Sequence, residues 1–301
     1  MKVVIGGANG LVGKELVQAL VARGDEVVAL ARKPAQAEWT RGARLVLWDG
    51  KTQGDWSREV DGADALVNMA GLNVGDQRWD PEFKRRILAS RLDSTGACVE
   101  ALRAATKRPR VFLSASAVGY YGSQGDTRLD ESGAPGKDFL ATVCQQWEAA
   151  AGPAAALGVR TIQLRTGVVL APEGGALAKM LPPFKAFVGG PLGDGKQWFP
   201  WIHLADEIAL CLFLLDHATL AGPVNAAAPG IVNMNEFAKA LGKVLHRPSI
   251  ARVPALAVRL AVGEFADAVL ASQRVIPEKL QAAGFAFKFP EVEGALRELL
   301  G

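Results

Sequence analysis

The chain has 301 residues, with 34 lysines and arginines against 31 aspartates and glutamates, and a formal net charge of +3. Because this excess is small and no basic cluster is interleaved with aromatic residues, we expect no groove that binds nucleic acid. The length allows one large domain, or a domain with a smaller lobe, and either arrangement can bury a sizeable core.

The cysteines and the apolar runs narrow the class of protein further. Cys98, Cys144 and Cys211 lie far apart without Cys-x-x-Cys spacing, which argues against disulfides and zinc sites. No trio of His, Asp, Glu or Cys at ligand spacing predicts a metal. The apolar start is a short strand rather than a signal peptide, and the longest apolar run, 208–215, is far shorter than the ~20 residues that span a bilayer. We therefore expect a cytoplasmic protein without a membrane partner.

The first predicted elements are an apolar strand over 2–5, a glycine loop, and an amphipathic helix over 14–23 that Gly24 closes. The loop has G-x-x-G-x-x-G spacing: one glycine allows a sharp turn, one lets backbone approach a pyrophosphate, and one lets the helix pack on the strand. Free N–H groups at the helix N-terminus then hold phosphates. The pattern predicts a dinucleotide pocket, the alternative being a purely structural turn. The loop residues expected to bind the cofactor are Gly7, Asn9, Gly10, Leu11, Val12 and Gly13.

The residues after the second predicted strand, 26–30, indicate which dinucleotide binds. A pocket that prefers NAD usually places an Asp or Glu there to hold the ribose hydroxyls, but this chain has Ala31-Arg32-Lys33. A guanidinium binds a phosphate in a bidentate fork and stacks on a ring, which suits the 2′-phosphate. We therefore expect NADP(H), the alternative being that Arg32 and Lys33 are ordinary solvated loop charges.

Further apolar runs alternate with helical stretches, which predicts a doubly wound, Rossmann-type parallel α/β sheet. The runs are continuous, as expected when helices cover both faces of the sheet. Ligands bind at the carboxyl ends of such strands, where Asp49, Ala70, Gly71 and Ser114 are further candidates for cofactor contact; the alternative at 70–71 is a plain tight turn. The later strands are predicted at 45–48, 65–69, 111–113, 161–164 and 224–226.

From Pro172 the chain has loops rich in glycine and proline, and after Pro229 it becomes mainly helical. We expect a dinucleotide-binding domain over 1–170, with a strand contribution near 222–228. Residues 171–301 are expected to form substrate-side loops and a small, mainly helical C-terminal lobe. Its helices are predicted to run from a cap at Asn235 toward His246, to follow Pro254, to end at Gly284, and to span 290–300.

Four stretches of the sequence together carry the signature of a family. They are VVIGGANGLVG at the start, residues 67–75, residues 114–122, and Trp201-Ile202-His203 with Asp206. They resemble the atypical, extended-type short-chain dehydrogenase/reductases known as NAD(P)-dependent epimerase-family proteins. The resemblance covers nearly the whole chain, including a C-terminal segment similar to the domain of unknown function found in that subgroup. It implies a small-molecule substrate and a homodimer in which two helices of each subunit pair.

The chain departs from the proton-transfer residues that the resemblance implies. Extended family members use a Tyr and, four residues later, a Lys that lowers the pKa of the Tyr, with an Asn on the preceding helix. Aligned on Glu148, the Tyr and Lys positions fall on Leu140 and Cys144, and the Asn position falls on Arg91. Leucine carries no proton to exchange, and a cysteine offers no charge unless its thiolate is stabilised.

Other residues are candidates for the missing chemistry. Ser116 matches the family's serine at the end of the fifth strand and is expected to donate a hydrogen bond. Cys144 would face the cofactor with its pKa depressed by Arg91, or would be a small buried hydrophobe. Arg91 alternatively binds a substrate carboxylate or phosphate, or pairs with an acid on a neighbouring helix. Tyr121, just past the fifth strand, is the candidate replacement acid.

Three residues are expected on the substrate side of the cleft, as the resemblance implies: Arg165, Trp201 and His203. His203 is either a proton shuttle, because its pKa lies near neutrality, or a packed residue satisfied by a hydrogen bond. Two functions remain open. The chain is an NADP(H)-binding oxidoreductase or epimerase-like enzyme for a small polar substrate, nucleotide-linked or free, or it is a non-catalytic NADP(H)-binding sensor or scaffold.

Overall fold

The computed structural model describes residues 1–33 and 40–301 and is built on a seven-stranded parallel sheet with helices on both faces. The strands are β1 (Lys2–Gly6), β2 (Glu26–Ala31), β3 (Arg44–Leu47), β4 (Ala65–Asn68), β5 (Val111–Ala117), β6 (Arg128–Leu129), β7 (Arg160–Thr166), β8 (Val168–Leu170), β9 (Trp198–Phe199), β10 (Trp201–His203), β11 (Gly222–Ala226), β12 (Val232–Asn233) and β13 (Arg274–Val275). The α-helices are α1 (Leu11–Ala22), α2 (Pro81–Ala104), α3 (Phe139–Ala151), α4 (Pro153–Ala156), α5 (Gly175–Lys185), α6 (Leu204–Asp216), α7 (Met234–Leu245), α8 (Ala255–Val262), α9 (Ala266–Val269), α10 (Glu278–Ala282) and α11 (Val292–Leu300). Short 3₁₀ turns span Asp55–Glu59, Val118–Tyr121 and Gly263–Phe265.

The order of strands across the large sheet is β11-β7-β5-β4-β1-β2-β3, and every neighbouring pair is parallel. The chain starts in the middle of the sheet, builds outward on one side, and then crosses over to build the other. The seven strands predicted from the sequence are the seven strands of this sheet, so the doubly wound fold is confirmed. Their carboxyl ends form one edge, where a ligand is expected to bind.

Successive side chains of each central strand pack on opposite faces of the sheet. Val3 and Ile5 lie in the hydrophobic cluster that includes α1 and α6, whereas Val4 lies in the cluster that includes α2 and α4. Both clusters are buried, which explains why the strands are continuous apolar runs rather than alternating ones. Gly24 ends the region of α1 as predicted. It has a positive φ of 88°, and its N–H donates to Val21 O in the last turn of the helix at 3.0 Å.

The C-terminal part forms a separate hydrophobic cluster from α5, α7 and α11, with Trp201 beneath them. The cap of α7 is Asn233 rather than the predicted Asn235. Asn233 accepts a hydrogen bond from Glu236 N, and the Glu236 carboxylate accepts one from Asn233 N, which forms a capping box. Pro254 precedes α8 as predicted, Gly284 follows α10, and α11 begins at Val292.

The proposed domain boundary at residue 170 stays a prediction. β11 lies in the large sheet, at the strand contribution expected near 222–228, and α6 packs in the cluster on one face of that sheet. The two helices that carry Arg91 and Cys144, α2 and α3, pack against each other within one chain, and homodimerisation through them also stays a prediction.

Among the helices of residues 1–33 and 40–301, none is both long and apolar enough to span a bilayer.

Candidate functional site

The three glycines of the first loop have different structural roles. Gly7 has a φ of +77°, and a Cβ there would lie 2.5 Å from the backbone of Met69 at the end of β4. A Cβ on Gly13 would lie 2.2 Å from Gly7 O. Gly10 N donates to Gly7 O at 3.0 Å, and a Cβ on Gly10 would meet only that oxygen, at 3.3 Å. Gly7 and Gly13 are therefore required by backbone packing, whereas Gly10 leaves open space at the start of the helix.

The N-terminus of α1 has the features of an anion site. Gly10 is its N-cap residue and offers no side chain to the first-turn N–H groups. Asn9 and Gly10 are exposed, Leu11 and Val12 are half-buried, and no acidic residue lies in the first turn. Uncapped N–H groups and the positive end of the helix dipole bind phosphate oxygens. The geometry of the loop and helix is that of a dinucleotide pocket.

A shallow depression of about 340 Å³ beyond β2 and β3 includes Arg32, Trp48 and Asp49. Arg32 and Lys33 are both exposed, and the residues after Lys33, 34–39, lie outside the described part of the chain. The Asp49 carboxylate accepts hydrogen bonds from the hydroxyl and backbone N–H of Thr52, and these bonds lower its pKa. Arg32 therefore supplies a positive charge beside this depression, and Asp49 an ordered carboxylate.

The end of β4 lies next to the glycine loop. Asn68, which is fully buried, accepts a hydrogen bond from Ala70 N at 3.1 Å and so shapes the turn that follows. Gly71 is exposed, and a Cβ there would lie 3.4 Å from the guanidinium carbon of Arg91. Ser114 is buried, with its hydroxyl directed to Ala115 O at 3.4 Å. Ala70 and Gly71 thus lie between the loop and Arg91, whereas Ser114 is enclosed in the sheet.

A cleft of about 520 Å³ opens at the carboxyl ends of β5 and β7 and at the start of β8. Its other wall comes from the segment before α2, from α3, and from the C-terminal helices. Most of the lining is apolar or aromatic. Among the residues that line it are Arg91, Ala117, Leu140, Cys144, Thr166 and Val168.

Arg91 and Cys144 both line this cleft. Arg91 Nη1 donates to Ile87 O at 2.9 Å and to Leu72 O at 3.1 Å, and the guanidinium lies 4.9 Å from the centroid of the Trp147 ring. No carboxylate among the described residues lies within ion-pair distance of Arg91, so it does not pair with an acid on a neighbouring helix. Burial lowers its pKa.

The environment of Cys144 keeps its thiol protonated. Burial raises the pKa of Cys144 to about 12, and the opposing effect of the Arg91 charge is smaller. The net shift is therefore opposite to the depressed pKa that was expected. Leu140, at the family's Tyr position, lies one turn before Cys144 on α3. Both side chains pack on Gly119, where a Cβ would lie 3.5 Å from Leu140 Cβ and 3.7 Å from Cys144 Sγ.

Ser116, Tyr121 and Arg165 belong to a buried network behind the cleft wall rather than to its lining. Glu148 accepts hydrogen bonds from Ser116 Oγ at 2.7 Å and from Arg165 Nε at 2.8 Å, and a second bond from Arg165 Nη2 makes the pair bidentate. Arg165 Nη1 donates to the Tyr121 hydroxyl at 2.9 Å. That hydroxyl donates in turn to Asn225 Oδ1 at 2.7 Å. Burial raises the pKa of Tyr121 to about 12.

Trp201 and His203 are likewise buried and satisfied by internal contacts. Trp201 Nε1 donates to Gly230 O at 3.0 Å. His203 Nδ1 accepts from Ala205 N at 3.0 Å and caps α6, while Nε2 lies 2.9 Å from a Glu298 carboxylate oxygen. His203 is therefore a packed residue satisfied by hydrogen bonds, which was the alternative to a proton shuttle. The cleft is instead lined by the residues just before them, 198–200.

The sequence interpretation missed one pair of polar groups at the cleft. Thr166 lines the cleft, and its hydroxyl donates to Glu207 Oε1 at 2.9 Å. Glu207 is 1% exposed, its Oε2 has no hydrogen-bond partner among the described residues, and burial raises its pKa to about 8. An acid in the first turn of a helix normally indicates interaction with the helix dipole, so no signal in the sequence distinguished Glu207. No group of three or more metal-ligating side chains comes together in the described ranges.

Comparison with known proteins identifies the family. The model of the NAD dependent epimerase/dehydratase family matches residues 3–227, and that of a domain of unknown function, DUF1731, matches 253–299. The chain belongs to the NAD dependent epimerase/dehydratase family. The resemblance drawn from the sequence is thereby confirmed, including its C-terminal domain.

Several relatives and solved structures match over nearly the whole length of this chain. A chloroplastic SDR39U1 homologue of the epimerase family from Arabidopsis thaliana is 40% identical over 306 residues, covering 100% of this chain and 87% of the relative. The crystal structure of human epimerase family protein SDR39U1 with NADPH superposes with a TM-score of 0.89 at 34% identity, covering 99% of each chain. A nucleoside-diphosphate sugar epimerase from Corynebacterium glutamicum has a TM-score of 0.77 at 34% identity, covering 99% of this chain and 58% of that one.

Proposed function

We propose that the chain is an NADP(H)-dependent oxidoreductase that interconverts a carbonyl compound and an alcohol in the cleft. The observation that carries this proposal is the glycine loop. Gly10 leaves open space at the uncapped N-terminus of α1, and this space lies at the same edge of the sheet as the cleft. Arg32, beside the adjoining depression, suits the 2′-phosphate. The human relative was crystallised with NADPH, which supports the same cofactor here.

NADPH, when bound, supplies a hydride; the side chains of the cleft hold the substrate oxygen and provide the proton. Arg91 is suited to the first task because its guanidinium is held by two backbone carbonyls and carries a charge without a carboxylate partner. A fixed cation of this kind stabilises negative charge that develops on a carbonyl oxygen. Cys144 is a poor proton donor at neutral pH because of its raised pKa.

The proton comes from Thr166 and Glu207. With the cofactor in place, the Thr166 hydroxyl would give its proton to the substrate oxygen as the carbonyl is reduced to an alcohol. In the structure the Thr166 hydroxyl donates to Glu207 Oε1 at 2.9 Å. In this step the hydroxyl rotates toward the substrate oxygen, and Thr166 Oγ1 accepts the proton of the Glu207 carboxyl. Glu207 is protonated at neutral pH because its pKa is raised to about 8, which is the range that suits a general acid. After the product leaves, solvent in the cleft restores the proton to Glu207 through the Thr166 hydroxyl, which lines the cleft.

The test is single-turnover oxidation of bound NADPH by a panel of aldehydes, ketones and oxo acids, followed by loss of the NADPH absorbance. We expect turnover in the wild type and in Thr166→Ser, which keeps the hydroxyl, and a loss of about 100-fold or more in Thr166→Val. Glu207→Gln should remove the decline in rate that the wild type shows as the pH rises through about 8.

The alternative function, a non-catalytic NADP(H)-binding sensor or scaffold, is favoured by the buried network that encloses Ser116 and Tyr121. Tight binding of NADPH without oxidation by any carbonyl of the panel would support it and contradict the oxidoreductase.

A further inference from the structure

Part of the cleft wall is aromatic. Trp79, Phe139 and Phe265 come from three different segments and form an aromatic cluster, with ring centroids 5.1 Å apart for Trp79–Phe139 and 5.3 Å apart for Trp79–Phe265. The one polar atom of the Trp79 ring, Nε1, already donates to Val74 O at 2.8 Å. This wall therefore offers apolar surface and no free hydrogen-bond donor from these rings.

The acidic side chains at the cleft are already engaged within the protein. Asp138 caps α3 by accepting from Ala141 N at 2.9 Å. Glu264 pairs with Lys84 at 2.5 Å, and Asp267 pairs with Arg259 at 2.9 Å. Each of these carboxylates is held by a partner within the protein, which reduces what the cleft offers to the hydroxyl groups of a sugar.

Arg91 is the one Lys or Arg among the described residues that line the cleft. A nucleoside diphosphate carries charges on two phosphates, which sites commonly match with several cations or backbone N–H groups. A single guanidinium fits one compact anion, and burying a second, unpaired charge against the aromatic cluster would be costly. The composition of the cleft therefore disfavours a nucleotide sugar.

We infer, resting on the proposed function, that the substrate is an oxo acid with an aromatic or branched apolar body, or the matching hydroxy acid. Its carboxylate and the neighbouring carbonyl oxygen lie at Arg91, and its body packs on the Trp79–Phe139–Phe265 cluster. In a 2-oxo acid the two oxygens lie close enough for one planar guanidinium to contact both. The substrate class differs from the small polar or nucleotide-linked compound that the sequence led us to expect.

Four probes separate the contributions of the body and the anion. Phenylpyruvate has both, pyruvate has the acid without the body, phenylacetone has the body without the acid, and UDP-glucose is the nucleotide sugar. Binding is read from quenching of the tryptophans that line the cleft, Trp79, Trp147 and Trp198, with and without NADP⁺. We expect phenylpyruvate to bind at least about tenfold more tightly than pyruvate and phenylacetone, and UDP-glucose not to compete.

Variants assign the two contacts. Arg91→Met should lower phenylpyruvate affinity about 10- to 100-fold, with little effect on phenylacetone, and Arg91→Lys should recover part of the loss. Phe265→Ser should weaken both aromatic probes but not pyruvate, whereas Leu256→Ser, on the exposed side of α8, should change none of them. Circular dichroism of each variant checks that it is folded.

Tighter binding of UDP-glucose than of phenylpyruvate would overturn the inference, as would equal binding of pyruvate and phenylpyruvate or no binding of any oxo acid. Failure of the proposed function gives a different result. In that case NADPH itself does not bind, or bound NADPH is never oxidised, while the quenching experiment still reports on the cleft.

Discussion

Glu207 should make the stability of this protein depend on pH in a way that one substitution removes. The carboxyl is buried beneath the cleft, accepts one hydrogen bond from Thr166, and leaves its second oxygen without a partner in the described structure. Burial raises its pKa from 4.5 to about 8. In the unfolded chain the same group titrates near its ordinary value.

Between these two pKa values the native state holds a proton that the unfolded state releases. The contribution of Glu207 to the free energy of unfolding is therefore greatest below about pH 4.5 and falls as the pH rises toward 8. At about 1.4 kcal/mol per pKa unit, the contribution lost across this window is about 5 kcal/mol. A change of this size is large against the net stability of an ordinary domain.

The perturbation is Glu207→Gln, which keeps an acceptor for Thr166 but cannot titrate. Denaturant unfolding of both proteins should be measured at several pH values between about 5 and 8.5. The variant should be the less stable protein at low pH, by about 1–3 kcal/mol for a buried amide without a partner, and the difference should shrink or reverse as the pH rises. Glu15→Gln, on the exposed face of α1, is the matched control. A difference between wild type and Glu207→Gln that stays constant across the pH range would refute the buried, protonated carboxyl.

Two further predictions concern the buried network and the free thiols. Glu148→Gln leaves the Arg165 charge without its bidentate partner in a buried position, so the free energy of unfolding should fall by about 3–5 kcal/mol; a loss below about 1 kcal/mol in denaturant titrations would contradict the role of this pair. Cys144 should react slowly with a thiol reagent in the native protein, because it is buried and its pKa is raised to about 12. Rapid modification at neutral pH, located by mass spectrometry and absent from Cys144→Ser, would show instead a stabilised thiolate.

The fold could be predicted because its evidence is local. Strands buried on both faces must be apolar along their whole length, and the glycines at 7 and 13 are required by contacts to backbone that any similar loop would make. The cap of α7 was misplaced by two residues because Asn233 and Asn235 are both good caps, and only the reciprocal bond with Glu236 selects Asn233.

The site was harder to predict because residue type does not say which way a side chain points. Neighbouring residues of a strand face opposite sides of the sheet, and here Ala117 and Thr166 line the cleft while Ser116 and Arg165 turn to Glu148 behind it. The predictions on these two strands therefore fell one residue from the cleft.

Contacts distant in sequence were beyond prediction for a related reason. Thr166 and Glu207 are 41 positions apart and meet only because α6 packs beneath the end of β7. No spacing rule joins a threonine on a strand to an acid on a later helix. Arg91 lines the cleft at the position where the family pattern has an Asn, on the helix that packs against α3, and its catalytic role stays a prediction.

The most direct test of the proposed cofactor site is a parallel titration of the purified protein with NADPH and NADH, read by calorimetry, in the wild type and in Arg32→Ala. We expect the wild type to prefer NADPH, and the variant to lose about 10- to 100-fold of that preference through the lost phosphate contact. Arg103→Ala, an exposed arginine near the C-terminal end of α2, should leave both affinities unchanged. Equal affinity for the two nucleotides, or an unaltered preference in Arg32→Ala, would contradict the NADP(H) site.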